Sequence, residues 1–151
     1  MARFNETTRI HGREFGRIEQ TITAAQLAAI TPAATTLAVN LTGFPTAARP
    51  VAARIHINTP FAATGDGISI TAITATVGDA ADPDELLDDT DIMPVSPAQD
   101  FETPVSPGTL GEEAAYAPRL TVTLTPADTE TNADLTAGEL IVVIWWEKLH
   151  L

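Results

Sequence analysis

The stretch VAARIHINTPFAATGDGISITAITATVGDAADPDELLDDTDIM, residues 51–93, decides the fold class of this chain. At 51–58 every second residue is apolar, and the residues between them are mostly polar. This period of two predicts a β-strand with one buried face. ISITAITATV at 68–77 is rich in β-branched residues and threonine, which predicts a second strand and not a helix. The glycine-containing loop TGDG at 64–67 separates the two strands.

Further strands are predicted on both sides of this stretch. Apolar residues alternate with polar ones at 15–22, 35–41 and 119–125, as is typical of strands that bury one face. The proline-rich region before the last of these segments is predicted to be a long surface loop with one edge strand near 100–105. The spacing of all these strands suits a β-sandwich or jelly roll, so the fold class is predicted to be all-β.

The last segment of the chain, GELIVVIWWEKLHL at 138–151, contains a run that is apolar on both faces. Such a run predicts a strand that is central in its sheet or covered by another subunit. In the second case the strand would serve self-association. We assign that role to the alternate residues Leu140, Val142, Ile144 and Trp146.

Helices are predicted to be few and short. We predict one at 83–88, because Asp82 can serve as its N-cap and Glu85 can complete a capping box. TAAQLAAI at 23–30 allows one more helical turn, which Pro32 would end.

The N-terminal residues differ from the rest of the chain. Residues 1–14 are polar and show no apolar period, which predicts an extended N-terminal arm followed by a single domain at 15–151. Half of the eight cations of the chain lie in or next to this arm. They can form bidentate pairs with acidic groups of a partner, although a frayed terminus is an equal alternative. The candidate partner-binding residues are Arg3, Arg9, Arg13 and Arg17.

The net charge of −12 argues against a nucleic-acid partner, because phosphate binding depends on clustered lysine and arginine. The acids at 79–91 could bind calcium, but their spacing lacks the glycine of the EF-hand loop. A solvated, helix-capping acidic face explains them better, so no metal site is predicted. No apolar run approaches the ~20 residues that span a membrane, so no membrane partner is predicted either.

Catalysis is not indicated. The chain has no cysteine, and none of its serines lies in a G-x-S-x-G motif. A phosphate-binding loop and a dinucleotide fingerprint are both absent from the sequence. His56 lies on the polar side of its predicted strand, where a surface or interface hydrogen bond is the expected role. We therefore predict a binding protein without enzymatic activity and without a cofactor.

Three segments carry a family resemblance. VAARIHINTPFAATGDGISITAITATVGDAADPDELL at 51–87 gives the order strand, glycine loop, strand and VGDAADPDELL. A proline-rich loop and the threonine-alternating strand follow, and TAGELIVVIWWEKL at 136–149 comes last. This order resembles small virion proteins of tailed bacteriophages over residues 35–149, specifically capsid decoration, or cement, proteins. The arginine-bearing arm and the acidic middle of this chain depart from the family pattern.

The resemblance implies an all-β unit, commonly a jelly-roll homotrimer, made in the host cytoplasm and located on the capsid exterior. Its partners would be the major capsid protein, whose subunits it ties together, and further copies of itself. Two other functions stay open on the sequence alone. One is a carbohydrate-binding or host-recognition β-sandwich, and the other is a head–tail connector or minor tail protein.

Overall fold

The described part of the chain folds mainly into β-strands. The computed structural model describes residues 6–10, 12–30, 33–63, 70–93, 100–104 and 116–149. The strands are β1 (Glu6–Ile10), β2 (Arg13–Thr23), β3 (Thr36–Asn40), β4 (Arg49–Ala63), β5 (Ile70–Gly78), β6 (Leu87–Asp91), β7 (Asp100–Pro104), β8 (Arg119–Pro126) and β9 (Leu135–Leu149). The helical segments are α1 (Ala24–Ala28) and one 3₁₀ turn (Asn132–Asp134).

The strands form two antiparallel sheets. The larger sheet has the order β1-β2-β9-β4-β7, and the smaller sheet has the order β3-β8-β5-β6. The pairs are nested, because β5 pairs with β6, β4 with β7, β3 with β8, and β2 with β9. Successive pairs alternate between the sheets, as in a long hairpin rolled into a sandwich. This is the eight-stranded jelly roll, extended at one edge by β1, and the predicted all-β sandwich is confirmed.

The core lies between the two sheets and is built from alternate residues of each strand. Ala53, Ile55 and Ile57 of β4 are fully buried, as the period of two at 51–58 predicts. Leu120 and Val122 of β8 face them from the smaller sheet and are fully buried as well. Each large aliphatic side chain buried in this way contributes about 1.5–3 kcal/mol to folding. β7 lies at an edge of the larger sheet, which confirms the predicted edge strand near 100–105.

The described part of the chain contains one short α-helix, which is α1 and not the segment at 83–88. The Thr23 side chain accepts a hydrogen bond from the Gln26 backbone, and the Gln26 side chain accepts one from the Thr23 backbone. This capping box confirms the helical turn predicted near 23–30. No helix in the described part of the chain has the length and apolar character needed to cross a membrane.

The helix predicted at 83–88 is wrong. The Asp79 carboxylate accepts hydrogen bonds from the backbone N–H groups of Ala81 and Asp82, at 2.7 and 2.8 Å, and this closes a turn. The Leu86 N–H then donates to the Val77 carbonyl at 2.9 Å, which returns the chain to the edge of β5. Leu86 and Leu87 are buried in the core. Pairing with β5 and burial of these leucines outweigh the local capping signal.

Residues 6–10 and 13–14 belong to the larger sheet and do not form a separate arm. β1 pairs with β2 in a hairpin that places Glu6 opposite Arg17 and Ile10 opposite Arg13. Gly12, in the two-residue connection, has a φ of 75°. The boundary predicted at residue 14 therefore falls inside β2. Backbone pairing with β2 orders β1, although its polar sequence lacks an apolar period. Residues 1–5 of the predicted arm lie outside the described residues.

A fully buried asparagine joins α1 to the segment before β3. The Asn132 Oδ1 accepts a hydrogen bond from the Ala34 N–H at 2.8 Å, and its Nδ2 donates to the carbonyls of Leu27 and Ile30, each at 2.8 Å. The Asn132 N–H donates to the Ala34 carbonyl at 3.0 Å. These bonds provide partners for carbonyls at the C-terminal end of α1, which have few intrahelical partners.

Candidate interaction surface

The outer face of the larger sheet carries an apolar stripe along its central strand. β9 lies between β2 and β4 and is apolar on both faces. Its inward side chains fill the core. Its outward side chains include Ile141, Val143 and Trp145, which we call the outer stripe. Ile141 and Trp145 are half-buried, so apolar surface of this strand remains accessible to a partner.

The residues predicted for self-association lie on the opposite face of β9. Leu140, Val142, Ile144 and Trp146 are 0, 2, 0 and 4% exposed, and all four belong to the core. The assignment of these four residues to self-association is therefore corrected, because a side chain packed between the two sheets cannot contact another subunit. Of the two sequence alternatives for this strand, the central position is confirmed. The outer stripe is the part of β9 that another subunit could reach.

Charged side chains flank the outer stripe on both neighbouring strands. On β2, Arg17 lies opposite Trp145 and Glu19 lies opposite Val143. On the other side, Arg54 of β4 also lies opposite Val143. Arg17 and Glu19 are 3.9 Å apart between their charged atoms. A strip of apolar surface with arginine on either side resembles the composition of protein interfaces, where aromatic residues and arginine are enriched.

Two open cavities lie along the outer stripe, and both are lined by Arg17 and Trp145. The first has a volume of about 260 Å³ and is also lined by Phe15 and Thr8. The second has a volume of about 220 Å³ and brings Glu19, Arg54 and His56 together around the outer stripe. His56 is half-buried there, on the face expected from the sequence. All three serines and the other two histidines lie outside the described residues.

A buried carboxylate connects the three central strands at one end of the sheet. Glu147 of β9 is 5% exposed. Its Oε1 accepts hydrogen bonds from the guanidinium of Arg49 on β4. Its Oε2 lies 3.6 Å from the guanidinium of Arg13 on β2. The two arginines compensate the charge of the buried carboxylate, whose burial alone would be costly.

The four arginines predicted to bind a partner do not form one patch. Arg3 lies outside the described residues, and of Arg9 only the position in β1, opposite Glu14, is described. Arg13 is engaged by Glu147. Of these four arginines, Arg17 is the one whose described side chain borders the outer stripe, and that side chain is 35% exposed. Whether any of the four binds a partner stays a prediction.

Sequence reasoning missed Arg54 and Glu147 as members of this surface. Arg54 alternates with core residues in β4, so the sequence places it on the solvent face of a strand. The period of two does not show that β2 and β4 flank the same strand. Glu147 follows an apolar run and carries no signal of its own, because its arginine partners lie 98 and 134 residues away in sequence.

The acidic segment at 79–91 lies between β5 and β6 and continues into β6, at the edge of the smaller sheet. A hydrogen bond with Asp84 is the main cause that raises the pKa of Asp82. Burial, followed by the charges of Asp79 and Asp82, raises the pKa of Glu85, which lies beside the Tyr116 hydroxyl. Burial is also the main cause that raises the pKa of Tyr116. Among the described residues there is no group of three or more histidine or acidic side chains placed to hold a metal ion.

Together these features define the protein as a jelly-roll β-sandwich with an apolar, arginine-flanked face on its larger sheet. Among solved structures, a chain titled "Cyanophage Pam1 capsid asymmetric unit" is similar to it, with a TM-score of 0.57 and 15% sequence identity. The match covers 97% of this chain and 94% of that chain. At this identity the similarity shows the fold alone. The chain matches no protein-family model and no curated protein.

Proposed function

We propose that the protein is a capsid decoration, or cement, protein of a tailed bacteriophage. In this role it binds the outside of the phage head and stabilises contacts between major capsid protein subunits, without catalysis. The observation that carries the proposal is the shared fold with a chain of a cyanophage capsid, which extends over nearly the whole of both chains. The sequence resemblance to cement proteins supports the same function.

The outer face of the larger sheet supplies the chemistry for such a role. Tryptophan and arginine are the residues that most often dominate binding energy at protein interfaces, and Trp145 and Arg17 lie side by side here. A homotrimer would present three copies of this face on one rigid unit. Three weak contacts of one unit then act together, which raises the overall affinity by about 10²–10⁴ over a single contact.

The test uses heads of the phage that encodes the protein, prepared without it. Purified protein is mixed with these heads, and the bound fraction is measured by sedimentation. We expect the wild type to bind and Trp145→Ala to bind at least about tenfold more weakly, as for a central interface residue. Thr123→Ala, on the exposed face of the smaller sheet, is the matched control and should bind normally. Failure of the wild type to bind intact heads refutes the proposal.

The arginines of the N-terminal region are a separate part of the proposal. Combined Arg3→Gln and Arg9→Gln substitutions remove two charges without touching the Arg13 contact with Glu147. We expect a folded protein that binds heads more weakly, because charge-assisted pairs with capsid carboxylates are lost. Binding equal to that of the wild type would exclude these two residues from the interface.

A carbohydrate-binding or host-recognition module is the second candidate function. The first cavity favours it, because Phe15 and Trp145 offer apolar ring surface and Arg17 offers hydrogen-bond donors. Binding to a glycan array, lost in Trp145→Ala, would support this function. A melting temperature that rises on adding calcium would indicate that a metal ion takes part.

A further inference from the structure

We propose that β3 pairs edge to edge with β3 of a second copy, so that the smaller sheets of two molecules join across a two-fold axis. The contact uses the β3 edge, by which we mean the backbone groups of Thr36, Ala38 and Asn40 that point away from β8. The inference goes beyond the proposed function, because it concerns an interface between copies of the protein. The outer stripe lies on the larger sheet and stays free for the capsid.

The backbone of β3 bonds to β8 on one side only. The Thr35 carbonyl accepts a hydrogen bond from the Leu124 N–H at 2.7 Å, and the Leu41 N–H donates to the Pro118 carbonyl at 2.8 Å. Both bonds fit the antiparallel register of β3 with β8, in which every second residue bonds to the neighbouring strand. The odd-numbered residues of β3 therefore bond to β8, and the N–H and C=O groups of the β3 edge point the other way.

The β3 edge is accessible in the described structure. Its three residues are exposed, and no other described strand pairs with this side of β3. Past the end of β3, the Thr42 N–H donates to the Gln20 side chain at 3.1 Å, which connects the chain to β2. β1 pairs with residues 13–17, at the other end of β2. Unpaired edge groups of this kind are a template for pairing with another chain.

β3 differs from the other described edge strands because nothing in it opposes pairing. β1, β6 and β7 each contain charged residues, and β7 also ends at a proline. β3, with the sequence TLAVN, contains neither. Its register with β8 is regular, whereas a register shift interrupts the pairing of β6 with β5. Since exposed edges are normally protected by charge, proline or a bulge, β3 is the described edge that a partner strand fits.

The surroundings of the β3 edge favour a second copy as the partner. Residues 20–48 contain no charged side chain, although the chain has a net charge of −12. The adjoining strand β8 adds one charge, Arg119, which lies opposite Asn40 at the end of β3. Two copies can therefore meet here without opposing their acids. Pairing of two β6 strands would instead bring Asp88, Asp89 and Asp91 of both copies together, and like charges weaken an interface.

Antiparallel pairing centred on Ala38 matches the two strands. Ala38 then faces Ala38 of the second copy, and Thr36 faces Asn40. Each of these pairs exchanges two backbone hydrogen bonds, which gives about six in all. On the inner face, Leu37 of one copy lies beside Val39 of the other. Val39 is only partly buried within one molecule, so the second copy covers apolar surface. The contact is the same from either side, as a two-fold interface requires.

The first test blocks the β3 edge. Ala38→Pro removes an outward N–H and leaves the bonds to β8 in place, because proline is tolerated where the N–H of an edge strand faces solvent. Ala38→Lys is the second variant, since two lysines would then face each other across the axis. Thr123→Lys makes the same charge change on the exposed face of β8 and is the matched control. Sedimentation velocity over a concentration series gives the association constants, and unfolding curves show that each variant is folded.

We expect the wild type to form dimers at about 100 μM, a concentration at which even weak specific contacts are populated. Both Ala38 variants should associate at least about tenfold more weakly, and Thr123→Lys should associate as the wild type does. Lysine lowers the net negative charge, so weaker association of Ala38→Lys would not come from general repulsion. Trp145→Ala, on the larger sheet, should also associate normally.

The second test fixes the register of the two strands. The chain has no cysteine, so a single introduced one reports on its own position. The Cα atoms of the two Ala38 residues would lie about 5.5 Å apart, a separation that a disulfide spans. Under oxidation by copper–phenanthroline, we expect Ala38→Cys to crosslink at least about tenfold faster than Thr36→Cys, whose two copies lie more than about 13 Å apart. A mixture of Thr36→Cys and Asn40→Cys should crosslink as the heterodimer.

Three results would overturn the proposal. The wild type could remain monomeric at about 100 μM, and if Ala38→Pro then lost head binding, the partner strand would belong to the capsid. Folded Ala38→Pro and Ala38→Lys could both associate as the wild type does. Ala38→Cys and Thr36→Cys could crosslink at the same rate, in which case the strands do not pair in this register. Loss of head binding with dimers intact would instead contradict the proposed function and leave this inference standing.

Discussion

Replacing Asn132 with alanine should be among the most destabilising substitutions of a polar residue in this protein. The side chain is fully buried and makes three hydrogen bonds of 2.8 Å, to Ala34, Leu27 and Ile30. A typical bond contributes about 1 kcal/mol net, and a buried group left without a partner costs about 1–3 kcal/mol. The three bonds and the unpaired groups together give a loss of about 4 kcal/mol, a large share of the stability of a domain.

Urea unfolding at constant pH measures this loss as a lower midpoint with an unchanged slope. A thermal scan should show a melting temperature lower by roughly 10 °C, since 1 kcal/mol shifts a domain of this size by about 2–4 °C. Asn58→Ala is the matched control. Asn58 is exposed and bonds the Glu139 side chain at 2.8 Å, so its loss should cost less than about 0.5 kcal/mol.

Asn132→Asp separates hydrogen bonding from volume. Aspartate has nearly the same size, but it places an oxygen where the Nδ2 donor faces two carbonyl oxygens. We expect it to be at least as destabilising as alanine at neutral pH. A loss below about 1 kcal/mol for both variants would refute the reasoning, because it would mean that other groups readily replace these bonds.

Two further predictions concern backbone space and pH. Gly138 has a φ of 141°, and a Cβ there would lie 2.3 Å from the Phe61 ring. We therefore expect Gly138→Ala to lower the free energy of unfolding, measured by urea titration, by about 2–4 kcal/mol. Alanine at the exposed Gly43, with a φ of 91°, should cost less, and an equal loss would contradict the proposed clash. Burial and the charge of Asp79 raise the pKa of Glu85 in the folded protein above its value in the unfolded chain. Protonation of Glu85 therefore stabilises the folded protein. This stabilisation is complete at acid pH and is lost as the pH rises through the folded pKa. The stability of Glu85→Gln relative to the wild type should therefore be greater at pH 7 than at pH 4, and a difference independent of pH would contradict this.

The strands could be predicted from the sequence because the core selects for their period. In β8, Leu120, Val122 and Leu124 are buried, and the threonines between them face outwards. The helix at 83–88 was predicted from a local capping signal instead, and that prediction was wrong. Asp82 and Glu85 have the right residue types for a helix start, but pairing of the following residues with β5 decided the structure. A local capping signal stabilises by only about 1 kcal/mol, less than the burial of one leucine.

The interaction surface could be predicted only in part. That Arg17 and Arg54 point away from the core follows from the alternation in β2 and β4. That they meet at one stripe follows from the nested strand pairing, which places both strands beside β9. No local pattern encodes this order. Likewise, the apolar run of β9 indicates that both faces of the strand are covered by other residues or by a partner. The sequence does not show which face is inside, and the structure shows that the face with Trp146 lies in the core.

The position of β9 also has a consequence for how the protein folds during its synthesis on the ribosome. β9 is the last of the described strands in the sequence, yet it lies in the middle of the larger sheet. The strands of the smaller sheet have all been synthesised by Pro126, whereas β2 and β4 must wait for β9 before they gain the neighbour that joins them. Until then their unpaired edges are open to strands of other nascent chains. We therefore expect the speed of translation through residues 127–149 to govern how much of the chain aggregates during synthesis.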